Sequence, residues 1–285
     1  MALTTVTRTQ VANAALKDGT VRPEGIELEF VEVDPLIRAF RQMVRERAYD
    51  VTEMAFTTYL CAREHGKRFT ALPIFLVRDF HHGAVSAKEP GDPKALEGKR
   101  VGVNRGYTVT TGVWARGVLA DEHGVDLDSI TWVLSGDEHV AEYEPPPNVV
   151  PAEGRDLAEQ LEAGELAAAI GVPGFVPLIE DAQEAGFRAL AGRGHYPINH
   201  LVVVRDELLE HAPAIHDAFL RAKDAYVRAG ELTPLHARVA ELTGGDPLPY
   251  GVDANRATIE ELIDHALRQK ILRERPDVEA LFARV

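Results

Sequence analysis

The 285-residue chain has a single cysteine, Cys61, so it forms no intramolecular disulfide and offers no cysteine-rich metal centre. It is also short of positive charge: 31 Lys and Arg stand against 45 Asp and Glu, a formal charge of −14. That balance excludes non-specific nucleic-acid binding through a basic surface. No apolar run is long enough to span a bilayer, and no basic segment followed by an apolar one opens the chain as an export signal would. The expected setting is therefore cytoplasmic, with neither a membrane nor a nucleic acid as partner. Low-complexity tracts and internal repeats are lacking too.

What remains is an ordinary globular composition, 45% hydrophobic and 27% charged. The length is close to the practical limit of one hydrophobic core, about 250–300 residues, so two lobes are expected at least as readily as one. Strand-like runs alternate with helical periodicities from end to end, the pattern of an α/β protein with largely parallel sheets. Ile26-Glu27-Leu28-Glu29-Phe30-Val31 alternates as a half-buried strand does. Leu36, Ile37, Phe40, Met43 and Val44 then define one apolar helix face. Further strands are read at Tyr49–Met54, Arg68–Val77, His82–Ala87, Arg100–Val103, Ile130–Val133, Ala167–Ile170 and Leu201–Val204. Lys88-Glu89-Pro90-Gly91-Asp92-Pro93 is a polar link in which Asp92 is a good N-cap and Pro93 a good first helical residue.

Two sheets, with the chain crossing at about residues 80–90 and returning at about 195–205, fit this order better than one continuous sheet. The second lobe is then an insertion: residues 1–87 and 200–285 form lobe 1, and residues 88–199 form lobe 2.

With these segments in place, the chain resembles the 4,5-dihydroxyphthalate decarboxylase family. The blocks that carry the resemblance are VRPEGIELEF from Val21, YDVTEMAFTTYL from Tyr49, Arg78-Asp79-Phe80-His81-His82, LEGKRVGV from Leu96, TTGVWARGVL from Thr110, YPINHLVVVRDELLEHAP from Tyr196 and PYGVDANRATIEEL from Pro249. They span nearly the whole chain. The resemblance implies the type 2 periplasmic-binding-protein fold, two α/β lobes with a ligand cleft between them and two crossing segments. Asn199 stands where the family pattern leads one to expect an apolar residue, and it joins the candidate substrate contacts.

In such a fold a ligand sits against strand ends and helix N-termini, where unpaired N–H groups favour anions. Two strand-to-helix turns qualify: one holds Glu53, Thr57 and Thr58, the other Arg105, Tyr107, Thr108 and Thr110. Plain N-capping by these threonines is the competing reading. His82 and His200 each lie beside a crossing, so if the two crossing strands are neighbours both imidazoles can face the cleft from adjacent strands, where histidine exchanges protons near neutral pH. His81 alternates to the opposite face from His82. Arg78 and Arg105 are candidate carboxylate clamps, because guanidinium binds carboxylate bidentately. Glu53, at a strand end, is assigned to a substrate hydroxyl, with capping or a pair with Arg78 as alternatives. Trp114 reads as core, Tyr107 as a ring contact. Asp121-Glu122, Asp206-Glu207 and Glu260-Glu261 read as solvated helix faces.

The expected function is a cofactor-independent decarboxylase of a small hydroxylated aromatic carboxylate, with no metal. His82 or His200 is the acid, Glu53 the hydroxyl partner, and Arg78, Arg105 and the Thr108/Thr110 helix start the carboxylate cradle. Two alternatives stand beside it: a non-catalytic binding protein for a small anion, and another carboxylate lyase of the same fold such as a menaquinone-pathway dehydratase. Assembly into a homo-oligomer is left open.

Overall fold

A computed structural model describes residues 1–285. The chain begins with β1 (Ala2–Val6), α1 (Ala14–Lys17), β2 (Glu27–Phe30), α2 (Ile37–Glu46), β3 (Val51–Ala55), α3 (Phe56–Glu64) and β4 (Phe69–Arg78). It continues with β5 (Val85–Ala87), β6 (Arg100–Val103), α4 (Thr110–His123), β7 (Thr131–Leu134), β8 (Val149–Pro151), α5 (Leu157–Glu162), β9 (Ala168–Ile170), β10 (Val176–Pro177) and α6 (Ala182–Arg193). It closes with β11 (Ile198–Arg205), α7 (Ala212–Ala229), α8 (Pro234–Thr243), α9 (Arg256–Arg268) and α10 (Val278–Leu281).

Two compact units result. The first comprises Met1–Arg78, Ile198–Glu260 and Pro276–Val285, the second Asp79–Pro197 and Glu261–Arg275. These boundaries differ from the sequence expectation at two places, each for a packing reason. Residues 79–87 fall in the second unit because β5 pairs antiparallel with β9 and β10. The segment Glu261–Arg275 falls there because Gln269 accepts from Arg116 Nε at 2.7 Å and donates to the Val113 carbonyl at 2.9 Å, both on α4.

The first unit holds a five-stranded sheet in the order β2-β1-β3-β11-β4. β1 pairs parallel with β2 and β3, whereas β11 runs antiparallel to β3 and β4. Leu3, Val51, Leu72, Ile74, Leu76, Val202 and Val204 pack against Ala212, Ile215, Ala218, Phe219 and Ala222 of α7, whose three- and four-residue spacing makes one apolar helix face. The sequence pattern misses β1. Leu3-Thr4-Thr5-Val6 has no clean alternation, and its strand conformation comes from two parallel neighbours 20 to 50 residues away.

The second unit holds a six-stranded sheet in the order β10-β5-β9-β6-β7-β8. β9, β6, β7 and β8 run parallel while β5 is antiparallel to both its neighbours, and Val133, Leu157, Leu161, Leu166 and Ala169 pack together on the sheet. Helix α4 buries Val113, Trp114, Arg116, Gly117 and Val118. The backbone at Gly117 approaches His265 of α9 so closely that a methyl group there would lie 2.5 Å from the His265 Nε2. G117A is therefore expected to destabilise the protein by about 1–3 kcal/mol, as overpacking does. A melting temperature equal to wild type would show that the helices separate at no cost.

Candidate active site

The first unit positions Glu53 on β3 and His200 on β11. In the antiparallel register His200 stands opposite Ala55, and Val202 opposite Glu53. Glu53 and His200 are thus diagonal neighbours on one sheet face, a geometry that brings long side chains into contact. His200 Nδ1 lies 2.6 Å from Glu53 Oε1. The carboxylate also accepts the Arg8 backbone N–H at 2.8 Å on Oε2 and the Gln10 side-chain amide at 3.5 Å on Oε1. Glu53 has no solvent exposure, while the His200 side chain is 18% exposed and its Nε2 has no protein partner. The edge of the Phe40 ring meets the imidazole at 5.2 Å between centroids. A buried carboxylate on one ring nitrogen fixes the orientation of the imidazole and leaves the other nitrogen facing outward.

This corrects the role expected for Glu53. Both its oxygens are engaged inside the protein, so it orients His200 rather than receiving a substrate hydroxyl. Arg78, at the end of β4 opposite Ile198, is buried, and its guanidinium donates to the Asn255 side-chain oxygen. Thr57 is fully buried in the first turn of α3. Asn199 lies at a bulge of β11 between Ile198 and His200, buried, with its side-chain oxygen unpartnered.

His82, Arg105, Tyr107, Thr108 and Thr110 belong to the second unit. His82 is not on a strand, since β5 starts at Val85, and the strands beside β11 are β3 and β4. The expectation that His82 and His200 extend from adjacent strands is therefore wrong. His82 is fully buried, with Nε2 3.0 Å from both oxygens of Glu122 on α4. Arg193 bridges Glu122 at 2.6 Å and Glu261 at 2.8 Å, and Glu261 pairs with His195 Nδ1 at 3.0 Å. Glu122 and Glu261 are thus ion-pair partners of buried histidines and not solvated face residues. Asp121 likewise pairs with Arg268. His81 and His265 pack against Trp114 and are kept neutral: burial, with the neighbouring His195 and His82, pushes His81 down to about 3, and burial pushes His265 down to about 4.

The Glu122 and Glu261 pairs carry a pH signature. Burial raises both carboxyls, but hydrogen bonds and charge from His82 and Arg193 on Glu122, and from His195 and Arg193 on Glu261, outweigh it. Each is held at about 2, against an ordinary 4.5. A depressed carboxyl stabilises the fold above its unfolded value and loses that contribution as pH falls through the folded one. Melting temperature is expected to drop between pH 4.5 and 2, and the slope to flatten in E122Q/E261Q. An equal slope in wild type and variant would remove these pairs from the acid response.

The second strand-to-helix turn is already filled. Glu138 accepts from the Tyr107 N–H, from the Thr108 N–H at 3.1 Å and from the Thr108 hydroxyl at 2.6 Å. Gly106 gives it room, because a methyl group there would sit 2.6 Å from Glu138 Oε2. The N–H groups read as a substrate cradle hold this internal carboxylate instead. Tyr107 is buried beneath Arg116, whose guanidinium lies 3.9 Å from the ring centroid and donates to the Tyr107 carbonyl at 2.6 Å. Its expected ring contact is thus with Arg116. Thr110 is buried at the first residue of α4. Arg105 is exposed at a positive φ of 75°, its N–H donating to Ser135 Oγ at 2.8 Å. Arg116 and Glu138 escaped the sequence reading. Arg116 left a signal, a charged residue on the apolar face of α4; Glu138, in an irregular loop, left none. No group of three or more His, Cys, Asp or Glu side chains is arranged to hold a metal ion.

No family model matches the chain. The 4,5-dihydroxyphthalate decarboxylase of Comamonas testosteroni is 29% identical over 291 residues, covering 88% of this chain and 87% of the relative. That of Pseudomonas putida is 33% identical over 168 residues, 55% of this chain and 64% of the relative. The chain is similar to 4,5-dihydroxyphthalate decarboxylases. Among solved structures, the periplasmic aliphatic sulphonate-binding protein SsuA from Escherichia coli is similar with a TM-score of 0.56 at 10% identity, covering 99% of this chain and 97% of that one. SsuA from Xanthomonas axonopodis pv. citri, bound to MOPS, gives 0.54 at 15%, covering 100% and 98%. The desulfurization enzyme DSZB in complex with biphenyl-2-sulfinic acid gives 0.51 at 14%, covering 99% and 96%. The chain's fold is thus the periplasmic-binding-protein fold, which both binding proteins and an enzyme use. No helix is long and apolar enough to cross a membrane.

Proposed function

We propose that this chain is a decarboxylase that releases CO2 from a hydroxylated aromatic carboxylate of the 4,5-dihydroxyphthalate type, without a cofactor, with His200 as the proton donor. The observation that carries the assignment is the pairing of a fully buried Glu53 with His200 at 2.6 Å, while the other ring nitrogen stays open. Similarity to two 4,5-dihydroxyphthalate decarboxylases supports the reaction class.

Decarboxylation of such a ring is easiest after the carbon bearing the carboxylate is protonated. A para hydroxyl, ionised or not, pushes electrons into the ring, and the carbon takes the proton from His200 Nε2. The C–C bond then breaks, CO2 leaves, and the bonding pair restores aromaticity. The imidazole regains its proton from solvent. Glu53 holds the ring through Nδ1 and balances its positive charge throughout. Arg78 is the carboxylate clamp of the same unit, and its planar fork matches a carboxylate edge.

Incubation of the purified chain with 4,5-dihydroxyphthalate, following CO2, tests this reading. Steady release supports it. Ligand binding with no CO2 would assign the chain to solute binding instead.

A further inference from the structure

The motif Tyr250-Gly251-Val252 has no part in the chemistry so far, yet Asn255 ties it to Arg78. The Gly251 N–H donates to the Pro73 carbonyl of β4 at 2.9 Å. The Asn255 amide nitrogen donates to the Pro249 carbonyl at 2.9 Å and to the Gly251 carbonyl at 2.7 Å, and its oxygen accepts from Arg78. With both donors of that amide spent on carbonyls, its oxygen has to be the atom that faces the guanidinium. One asparagine thus fixes the clamp and the two residues flanking Tyr250.

Tyr250 packs against the first-unit core, with Lys223 Nζ 5.4 Å from its ring centroid. Lys223 itself is committed to Asp224 at 2.8 Å and to Asp246. The Tyr250 hydroxyl is buried and has no partner. Buried hydroxyls are nearly always bonded, and a phenylalanine would fill the same space without the cost of desolvating an O–H. An unmet donor tied to a clamp through one asparagine is accounted for by a ligand atom that meets it.

We infer that the Tyr250 hydroxyl is a substrate-binding donor, meeting an oxygen of the carboxylate that Arg78 clamps. The inference rests on the reading of Arg78 as that clamp. Tyr250 serves as a neutral donor and never as a phenolate, since burial, and then Asp246 and Asp224, push its ionisation well above the ordinary value, against the pull of Arg78. Together, Arg78 and Tyr250 select a ligand with an ionised carboxylate over an amide or ester of the same shape.

The test uses phthalate, a dicarboxylate with no ring hydroxyls to drive turnover, titrated calorimetrically into the full wild-type chain and into Y250F, with thermal melts of both. The wild type is expected to bind, and Y250F to bind about 10- to 100-fold more weakly, the loss of one hydrogen bond to a charged group. Y250F is expected to melt at the same or a higher temperature, because the deleted O–H has no partner in the protein. A wild type that binds with Y250F unchanged overturns the inference and leaves the clamp standing. A lower melting temperature in Y250F also overturns it, by giving the hydroxyl a structural partner. Failure of the wild type to bind phthalate overturns the clamp and the inference with it.

Discussion

H200A is expected to lower kcat/KM for 4,5-dihydroxyphthalate by about 100- to 10,000-fold, the span that a positioned general acid contributes. The loss should fall on kcat, because the proton reaches the ring carbon in the transition state while Arg78 still holds the carboxylate in the ground state. His200 is partly exposed and its hydrogen bond goes to a single side chain, so the fold should persist. H200Q keeps a polar group of similar reach but no exchangeable cationic proton, and is expected to be as impaired as alanine. Stopped assays of CO2 release on both variants, alongside melting curves, check this. Turnover equal to wild type in either variant would remove His200 from the chemistry and return attention to His82, which is bonded to Glu122 and closed to solvent.

E53Q should cost about 100-fold or more in kcat, as losing the carboxylate behind an imidazole does elsewhere. The amide has the shape of the carboxylate but not its charge, so the imidazolium at His200 loses its counter-charge. E53D keeps the charge and should recover part of the rate, whereas a role confined to packing would be served better by glutamine, which keeps the shape. An E53D no faster than E53Q would show that Glu53 only holds β3 and the Arg8–Gln10 segment together, through the hydrogen bonds it accepts there.

Much of the architecture was legible because its signals are local. The apolar run Leu201–Val204, the capped turn at Asp92 and the helix around Trp114 each announce themselves in a few residues, and all three are present. Glu53 and His200 were both legible as site residues, since each ends or crosses a strand block. Their partnership was not, because it depends on the antiparallel register of strands 147 residues apart. The same limit hid Glu122 and Glu261. In sequence they are acidic residues on polar helix faces, and only tertiary packing sets Arg193 and two buried histidines against them. Thr108 illustrates the reverse case. Its hydroxyl and N–H were correctly read as facing an anion, but the anion is Glu138 of the same chain. Tyr250 fell between the two: its motif was visible, while its burial and its link to Arg78 through Asn255 needed coordinates.

The most direct measurement is CO2 release from 4,5-dihydroxyphthalate in D2O, comparing wild type with H200A. Wild type should release one CO2 per turnover and leave one deuterium on the ring carbon that lost the carboxylate, whereas H200A should do so at least 100-fold more slowly. Wild type that binds the compound without releasing CO2, or H200A that matches wild type, would contradict the assignment of the Glu53–His200 pair to decarboxylation.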